Sequence, residues 1–208
     1  QKQNRIVAQG NAKVKTNNFI INADVITGSY IGKIGSGNIK NLIAIKNARF
    51  SSEDTTIKAN KIDYDFINNV IDVKGKNIEM SFEEGIIFSR KSLIFYNLDK
   101  KAMAEGNVFI KINNKGNVKA EKVSVTIDEK GEVLLVKAIN NVEIFLNEQE
   151  QNLFSDEAIF DNSASRIDLI GNIVLYYGES FLKGDKAYID LENGISKILS
   201  DNKTNVSG

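Results

Sequence analysis

Asp63 and Asp65, two apart in Lys61-Ile-Asp-Tyr-Asp-Phe66, are the first residues whose types and spacing could do chemistry. Paired carboxylates act as acid and base or nucleophile when they flank a scissile bond across a cleft. On an extended strand, positions i and i+2 point to one face. This pair therefore shares a side, and Tyr64 and Phe66 take the other, which suits a wet face backed by a buried one. The second candidate is the glycine-rich Gly28–Asn38, containing Gly32-Lys-Ile-Gly-Ser-Gly37. A phosphate-cradling loop carries Gly-Lys-Ser/Thr and leads into a helix. Here Ile39 to Ile45 reads as a strand, so a mobile hairpin loop is expected instead. The chain has no histidine and no cysteine, hence no imidazole base, triad, His or thiolate metal site, or disulfide. A Gly-x-Ser-x-Gly nucleophile elbow is also missing. Basic residues do not interleave with stacking aromatics along one face, as single-stranded nucleic-acid binders require. The expectation is a binding or scaffold protein: not an enzyme, with no cofactor, no metal and no nucleic acid.

The elements that would carry such a function repeat. From Gly171 to Asp201 the chain reads Asn-Ile-Val-Leu-Tyr-Tyr, Gly178-Glu-Ser, Phe181 to Leu191, Glu192-Asn-Gly, then Ile195 to Leu199. Runs of β-branched and aromatic residues broken by Gly, Asn and charge predict strand, turn, strand, turn, strand. Asn193-Gly194 suits a type I′ hairpin turn. Units opening on Asn begin at Asn11, Asn47, Asn77, Asn107, Asn141 and Asn172, at spacings of 36, 30, 30, 34 and 31 residues. Twelve to fourteen residues into most units stands a small residue followed by a polar one: Ala23-Asp24, Ala59-Asn60, Ser89-Arg90, Ala120-Glu121, Ser155-Asp156 and Gly184-Asp185. Gly10 to Gly106 and Gly75 to Gly171 each span 96 residues, so the chain reads as a triple unit written twice.

No segment has a helical apolar period over ten residues, so the class is all-β. Several strands, among them Ile20-Ile21, Ile86-Ile-Phe88 and Val108-Phe-Ile110, are apolar at successive positions. Either both faces are covered, or one apolar face lines a cavity. With 208 residues and no Pro/Ser linker, one continuous elongated domain over 1–208 is expected, with internal repeats 10–105 and 106–202. Formal charge is zero but unevenly placed: residues 1–50 hold eight Lys/Arg against Asp24 alone, which leaves the rest at −7 by subtraction. Every charge between Lys137 and Arg166 is acidic, a distribution compatible with head-to-tail docking. No apolar run approaches the length of a membrane helix. Beginning at Gln1 without a leader, the sequence reads as a mature or trimmed form.

The ordered series Gly10-Asn-Ala-Lys-Val, Ile20-Ile-Asn-Ala-Asp, Ala48-Arg-Phe, Ala59–Asp65, Val70-Ile-Asp-Val-Lys-Gly75, Leu169-Ile-Gly-Asn-Ile-Val-Leu175, Leu182-Lys-Gly-Asp-Lys-Ala-Tyr188 and Ile198-Leu-Ser-Asp201 resembles the LptA/OstA-like family over residues 5–202. Its members are periplasmic bridge proteins of lipopolysaccharide transport in Gram-negative bacteria. The resemblance implies an open antiparallel β-jellyroll, here of about six repeated units of ~32 residues duplicated as two triples. Its apolar interior would shelter the acyl chains of lipid A. Lipid-contacting positions would be Phe19, Ile21, Phe50, Tyr64 and Phe66 in the first triple, and Val118, Ile144 and Phe160 in the second. The implied partners are lipopolysaccharide, further copies stacked end to end, an LptC-like inner-membrane component and an LptD-like outer-membrane component. The competing reading is a β-solenoid or adhesin-like structural repeat without ligand. Lipid copurification separates the two.

Overall fold

The computed structural model describes residues 4–32, 38–148, 150–178, 180–193 and 195–199, and among these every regular element is a strand. In chain order these are β1 (Asn4–Lys15), β2 (Ile20–Ile31), β3 (Asn38–Ser51), β4 (Thr56–Asp65), β5 (Val70–Lys74), β6 (Ile78–Phe82), β7 (Gly85–Ser89), β8 (Ser92–Tyr96), β9 (Lys101–Ile112), β10 (Gly116–Ile127), β11 (Val133–Leu146), β12 (Gln151–Asp161), β13 (Arg166–Tyr177), β14 (Ser180–Asp190) and β15 (Ile195–Leu199). All pair antiparallel in one continuous ladder. It runs β1-β2-β3-β4-β5-β8-β9 and onward in sequence order to β15, with the β6–β7 hairpin inserted between β4 and β9. A parallel solenoid has a different topology. The fold is an all-β open antiparallel jellyroll of repeated strand units.

The repeated asparagines do not begin strands, except Asn77, which precedes β6. The other five lie inside long strands, each second in a pair with positive φ: Gly10-Asn11 at +76° and +50°, Lys46-Asn47 at +62° and +51°, Gly106-Asn107 at +88° and +46°, Asn140-Asn141 at +65° and +52°, Gly171-Asn172 at +76° and +47°. Gly, and Asn or Asp among residues with a Cβ, enter this region at the lowest cost, and Lys46 is the one other residue in these pairs. The register jumps at each pair, as between Gln9 and Ala12 or Ile170 and Ile173. Two residues therefore oppose one, and the strand bends as at a bulge. Each long strand turns a corner here and contributes one half to each of two walls. Gly106, the expected start of the second triple, thus lies within β9 rather than between elements.

The small-then-polar pairs sit opposite these corners. Ala12 pairs with Ala23, Ala48 with Ala59, Val108 with Ala120, and Val142 with Ser155. The small residue points into the crease, where two converging walls leave little room. The polar one faces out and ties the corner: Asn47 donates to both oxygens of Asp24 at 3.2 Å, and Asn172 to Asp156 Oδ2 at 2.8 Å. Between the walls runs one contiguous apolar core, with Ile21, Ile57, Met80, Ile87, Ile110 and Leu153 from one wall and Ile62, Ile71, Leu93 and Leu169 from the other, all under 2% exposed. A fully buried side chain of this size contributes about 1.5–3 kcal/mol. Outward apolar residues do not need a covering layer: Phe88 stacks on Phe109 across the β7–β9 ladder at 6.2 Å, with Phe88 on the surface.

Strands take in both ends of the segment Gly28–Asn38 expected as a loop, since β2 continues through Ile31 and β3 begins at Asn38; residues 33–37 of that segment lie outside the described residues. The expected Asn193-Gly194 turn is only half described, since Gly194 lies outside them. Turns of the second wall share a different device. Asp65 Oδ1 accepts from the backbone N–H groups of Ile67 and Asn68, Asp161 Oδ1 from those of Ser163 and Ala164, and Asp190 Oδ1 from those of Glu192 and Asn193. Asn69 and Ser165 close the first two turns in the left-handed region. These bonds hold all three carboxyls below the ordinary aspartate value, led by the Asn68 N–H at Asp65, the Ser163 hydroxyl at Asp161 and the Asn193 carboxamide at Asp190. A depressed native pKa gives stability that is complete above the unfolded value of about 3.9 and is lost as the pH falls through the native values. Asp65→Asn/Asp161→Asn/Asp190→Asn keeps the turn acceptors but not the titration. Its urea midpoint is therefore expected to fall less steeply below pH 4 than that of the native chain; parallel acid limbs would refute this.

Candidate functional site: the interior between the walls

The walls meet at the creases and part at two rows of hairpin tips, between which the interior opens. Tips of the first wall lie at residues 16–19, 52–55, 83–84 and 113–115; those of the second lie at 66–69, 97–100, 128–132 and 162–165. Among the described residues, three sets of contacts bridge the opening. At the N-terminal end Phe19 and Phe50 of the first wall meet Tyr64 and Phe66 of the second, with ring centroids 5.5 Å apart for Phe19–Phe50, 5.4 Å for Phe19–Tyr64, 5.7 Å for Phe19–Phe66 and 4.3 Å for Tyr64–Phe66. In the middle the Val133 N–H donates to Glu84 Oε2 at 2.9 Å. Further on, Lys115 Nζ donates to Asn162 Oδ1 at 3.1 Å and lies 5.7 Å from the Phe160 ring centroid.

Among the described residues two cavities open along this interior. The N-terminal one, about 740 Å³, has Phe19, Phe50, Tyr64, Phe66, Ile71 and Phe95 on its apolar side; its rim carries Glu53, Asp54, Asp128 and Glu129 against Lys100. The C-terminal one, about 220 Å³, is lined by Ile112, Val118, Val136, Ile144, Phe160, Ile167 and Leu191, with Lys115, Glu148 and Glu192 at its edge. An apolar cavity of about 150 Å³ already stays dry and takes up a small hydrocarbon. Met80, Phe82 and Ile87 from the first wall meet Phe95, Val125 and Ile127 from the second around a void of only about 10 Å³.

The eight sequence-predicted positions fall into two groups. Phe19, Phe50, Tyr64 and Phe66 come together as the aromatic strap, while Ile21 is fully buried and lines neither cavity. Val118, Ile144 and Phe160 all line the C-terminal cavity, Val118 directly opposite Ile144 in the β10–β11 register. Parity holds at the first pair: Tyr64 is buried, whereas Asp63 pairs with Lys61 at 3.6 Å and Asp65 caps its turn. The Tyr64 hydroxyl donates to Asn69 Oδ1 at 2.8 Å, and burial pushes its pKa up. Lys115, Glu84 and their partners were missed, because each joins residues 47 or 49 apart with no local pattern linking them. Val136, Ile167 and Leu191 were legible in principle, as inward positions on the alternation that includes Phe160. Among the described residues no three His, Cys, Asp or Glu side chains lie close enough together to hold a metal ion.

The family described as "LptA/(LptD N-terminal domain) LPS transport protein" matches residues 89–195, just over half of the chain and the part that holds the whole C-terminal cavity. Among solved structures, the chain is similar to the crystal structure of LptH, the LptA homologous periplasmic component of the conserved lipopolysaccharide transport device from Pseudomonas aeruginosa. Identity is 13% and the TM-score 0.45, over 54% of this chain and 80% of that one. No curated protein matches.

Proposed function

The chain belongs to the LptA/OstA-like family of lipopolysaccharide-transport proteins, and from that membership we propose that it is a non-enzymatic periplasmic bridge that shelters lipid A acyl chains between its walls. One observation carries this reading: the cavity lined by Val118, Ile144 and Phe160 is apolar in its depth and has the Lys115 ammonium at its edge. Each methylene moved from water into such a site contributes about 0.8 kcal/mol, so the ligand is held without polar chemistry inside. At the rim Lys115 stands with Glu148 and Glu192, and its ammonium is the group there that suits a phosphate-bearing headgroup staying in water. Four carboxylates suit it less at the N-terminal mouth, where the aromatic strap would receive chains rather than headgroups. We read residues 1–208 as one elongated domain, since the ladder crosses residue 106 without a break.

The reading extends to partners. Among the described residues β1 pairs only with β2, and β15 only with β14, so each end of the described ladder presents an edge on which another strand can add. End-to-end copies, an LptC-like inner-membrane component and an LptD-like outer-membrane component are the proposed occupants of those edges. Photo-crosslinkers test the interior directly. Probes at Tyr64 and Val118 are expected to give lipopolysaccharide adducts, whereas those at Asp65 and Lys119, one residue away on the outer face, give none. Equal labelling at 118 and 119 would sink the proposal, as would an organic extract of the purified protein without acylated glycolipid.

A further inference from the structure

On the outer side of the fold, away from both cavities, the corner is built differently at its centre. Elsewhere a positive-φ pair carries one strand around the bend. Here the strands are interrupted, β5 from β6 at residues 75–77 and β7 from β8 at residues 90–91. The interruptions leave a cleft of about 920 Å³, lined by Arg49, Lys58, Lys76, Arg90 and Lys91 together with small and amide residues, and by no carboxylate. Nearby acids are already engaged. Glu79 pairs with Lys58 at 2.6 Å, Glu105 with Lys91 at 3.0 Å and with Lys122 at 3.1 Å, and Asp24 accepts from Asn47. Arg49, Lys76 and Arg90 have no ion pair among the described residues, and all three are exposed.

We propose that this outer cleft is a binding site for a phosphate group, with Arg49, Lys76 and Arg90 as its ligands. Two guanidinium forks match the paired oxygens of a phosphate, and a lysine adds a point charge. The gathering is a consequence of the fold: Arg49 comes from β3, while Lys76 and Arg90 come from the two interruptions, 27 and 41 residues further on. Like charges that repel one another with no internal acid to offset them are satisfied by an external anion. The size of the cleft leaves room for the molecule that carries the phosphate. The inference rests on the cleft alone and does not require the interior to hold acyl chains.

The test is calorimetric titration of the full chain with pyrophosphate at low ionic strength. Arg49→Gln/Lys76→Gln/Arg90→Gln is expected to weaken binding at least tenfold. Arg5→Gln/Lys13→Gln/Lys15→Gln removes the same charge from the exposed first strand and is expected to change it less than twofold. All six residues are exposed, and circular dichroism reports whether each variant stays folded. Sedimentation with phosphatidylglycerol and with phosphatidylcholine vesicles then separates the sources. Retention on the anionic vesicles that the first variant loses identifies a lipid headgroup, and pyrophosphate binding without retention identifies a soluble phosphate. Absence of pyrophosphate binding overturns the proposal. So does equal loss in both variants, or poly-glutamate binding as tight as pyrophosphate. Val118→Trp, which acts only in the interior, leaves this binding intact, so failure here and failure of the transport reading are told apart.

Discussion

Val118→Trp is expected to remove lipid from the C-terminal half of the protein while leaving the fold in place. Val118 is half-buried and its side chain borders the 220 Å³ cavity, so an indole there has empty volume to enter. Overpacking strain of 1–3 kcal/mol, typical of an already filled core, is largely avoided. If acyl chains occupy the cavity as proposed, what the indole displaces is ligand. Excluding four acyl methylenes costs about 3 kcal/mol, or roughly two-hundredfold in Kd. The measurement is displacement of a fluorescent acyl probe by lipopolysaccharide, alongside a urea unfolding curve. Lys119→Trp, on the outward face of β10, is the control and is expected to bind normally. Native affinity in a stably folded Val118→Trp protein would show that acyl chains do not occupy this cavity.

The corners supply the second large effect, on stability. Gly10→Ala, Gly171→Ala and Gly106→Ala place the same methyl group at left-handed positions of similar φ, +76°, +76° and +88°. Their surroundings differ. At Gly10 nothing lies within 4 Å of the added carbon, so only backbone strain of about 1 kcal/mol is expected. At Gly171 the methyl meets the Asp156 carboxylate, which can move only by giving up its bond from Asn172. At Gly106 it comes within 2.6 Å of Lys91 Cβ and 3.1 Å of the Lys91 nitrogen, in the connection between β7 and β8 that the Arg90 N–H ties to the Gly106 carbonyl at 2.8 Å. A loss of about 3 kcal/mol or more is expected there, a large fraction of a domain's stability. Urea midpoints should rank Gly10→Ala above Gly171→Ala above Gly106→Ala. A flat ranking would mean that the corners relax freely.

The sequence by itself determined the class of secondary structure, the repeat and the two faces of each strand. Alternation at Tyr64 and Phe66 against Asp63 and Asp65 needs only the period of an extended chain, and the buried and exposed sides fall where that period puts them. It also marked the corners, since Asn recurs at spacings of 30 to 36 residues, three times after Gly. Their meaning was decided by tertiary structure. A Gly-Asn pair is equally compatible with a turn between strands and with a bend inside one. Only the ladder on either side, continuous through Gly171-Asn172 with a register jump, distinguishes them. The site divides in the same way. Val118 and Ile144 were legible because they are inward positions on paired strands. Ile21 follows the same parity but lies in filled core, because alternation says which side a residue faces and not whether the opposite wall has already taken the space. The straps at Glu84–Val133 and Lys115–Asn162, and the cleft that gathers Arg49, Lys76 and Arg90, bring together residues 14 to 49 positions apart. Such distances are set by how far one wall is offset from the other, a property of the twisted pair of sheets that no local pattern encodes.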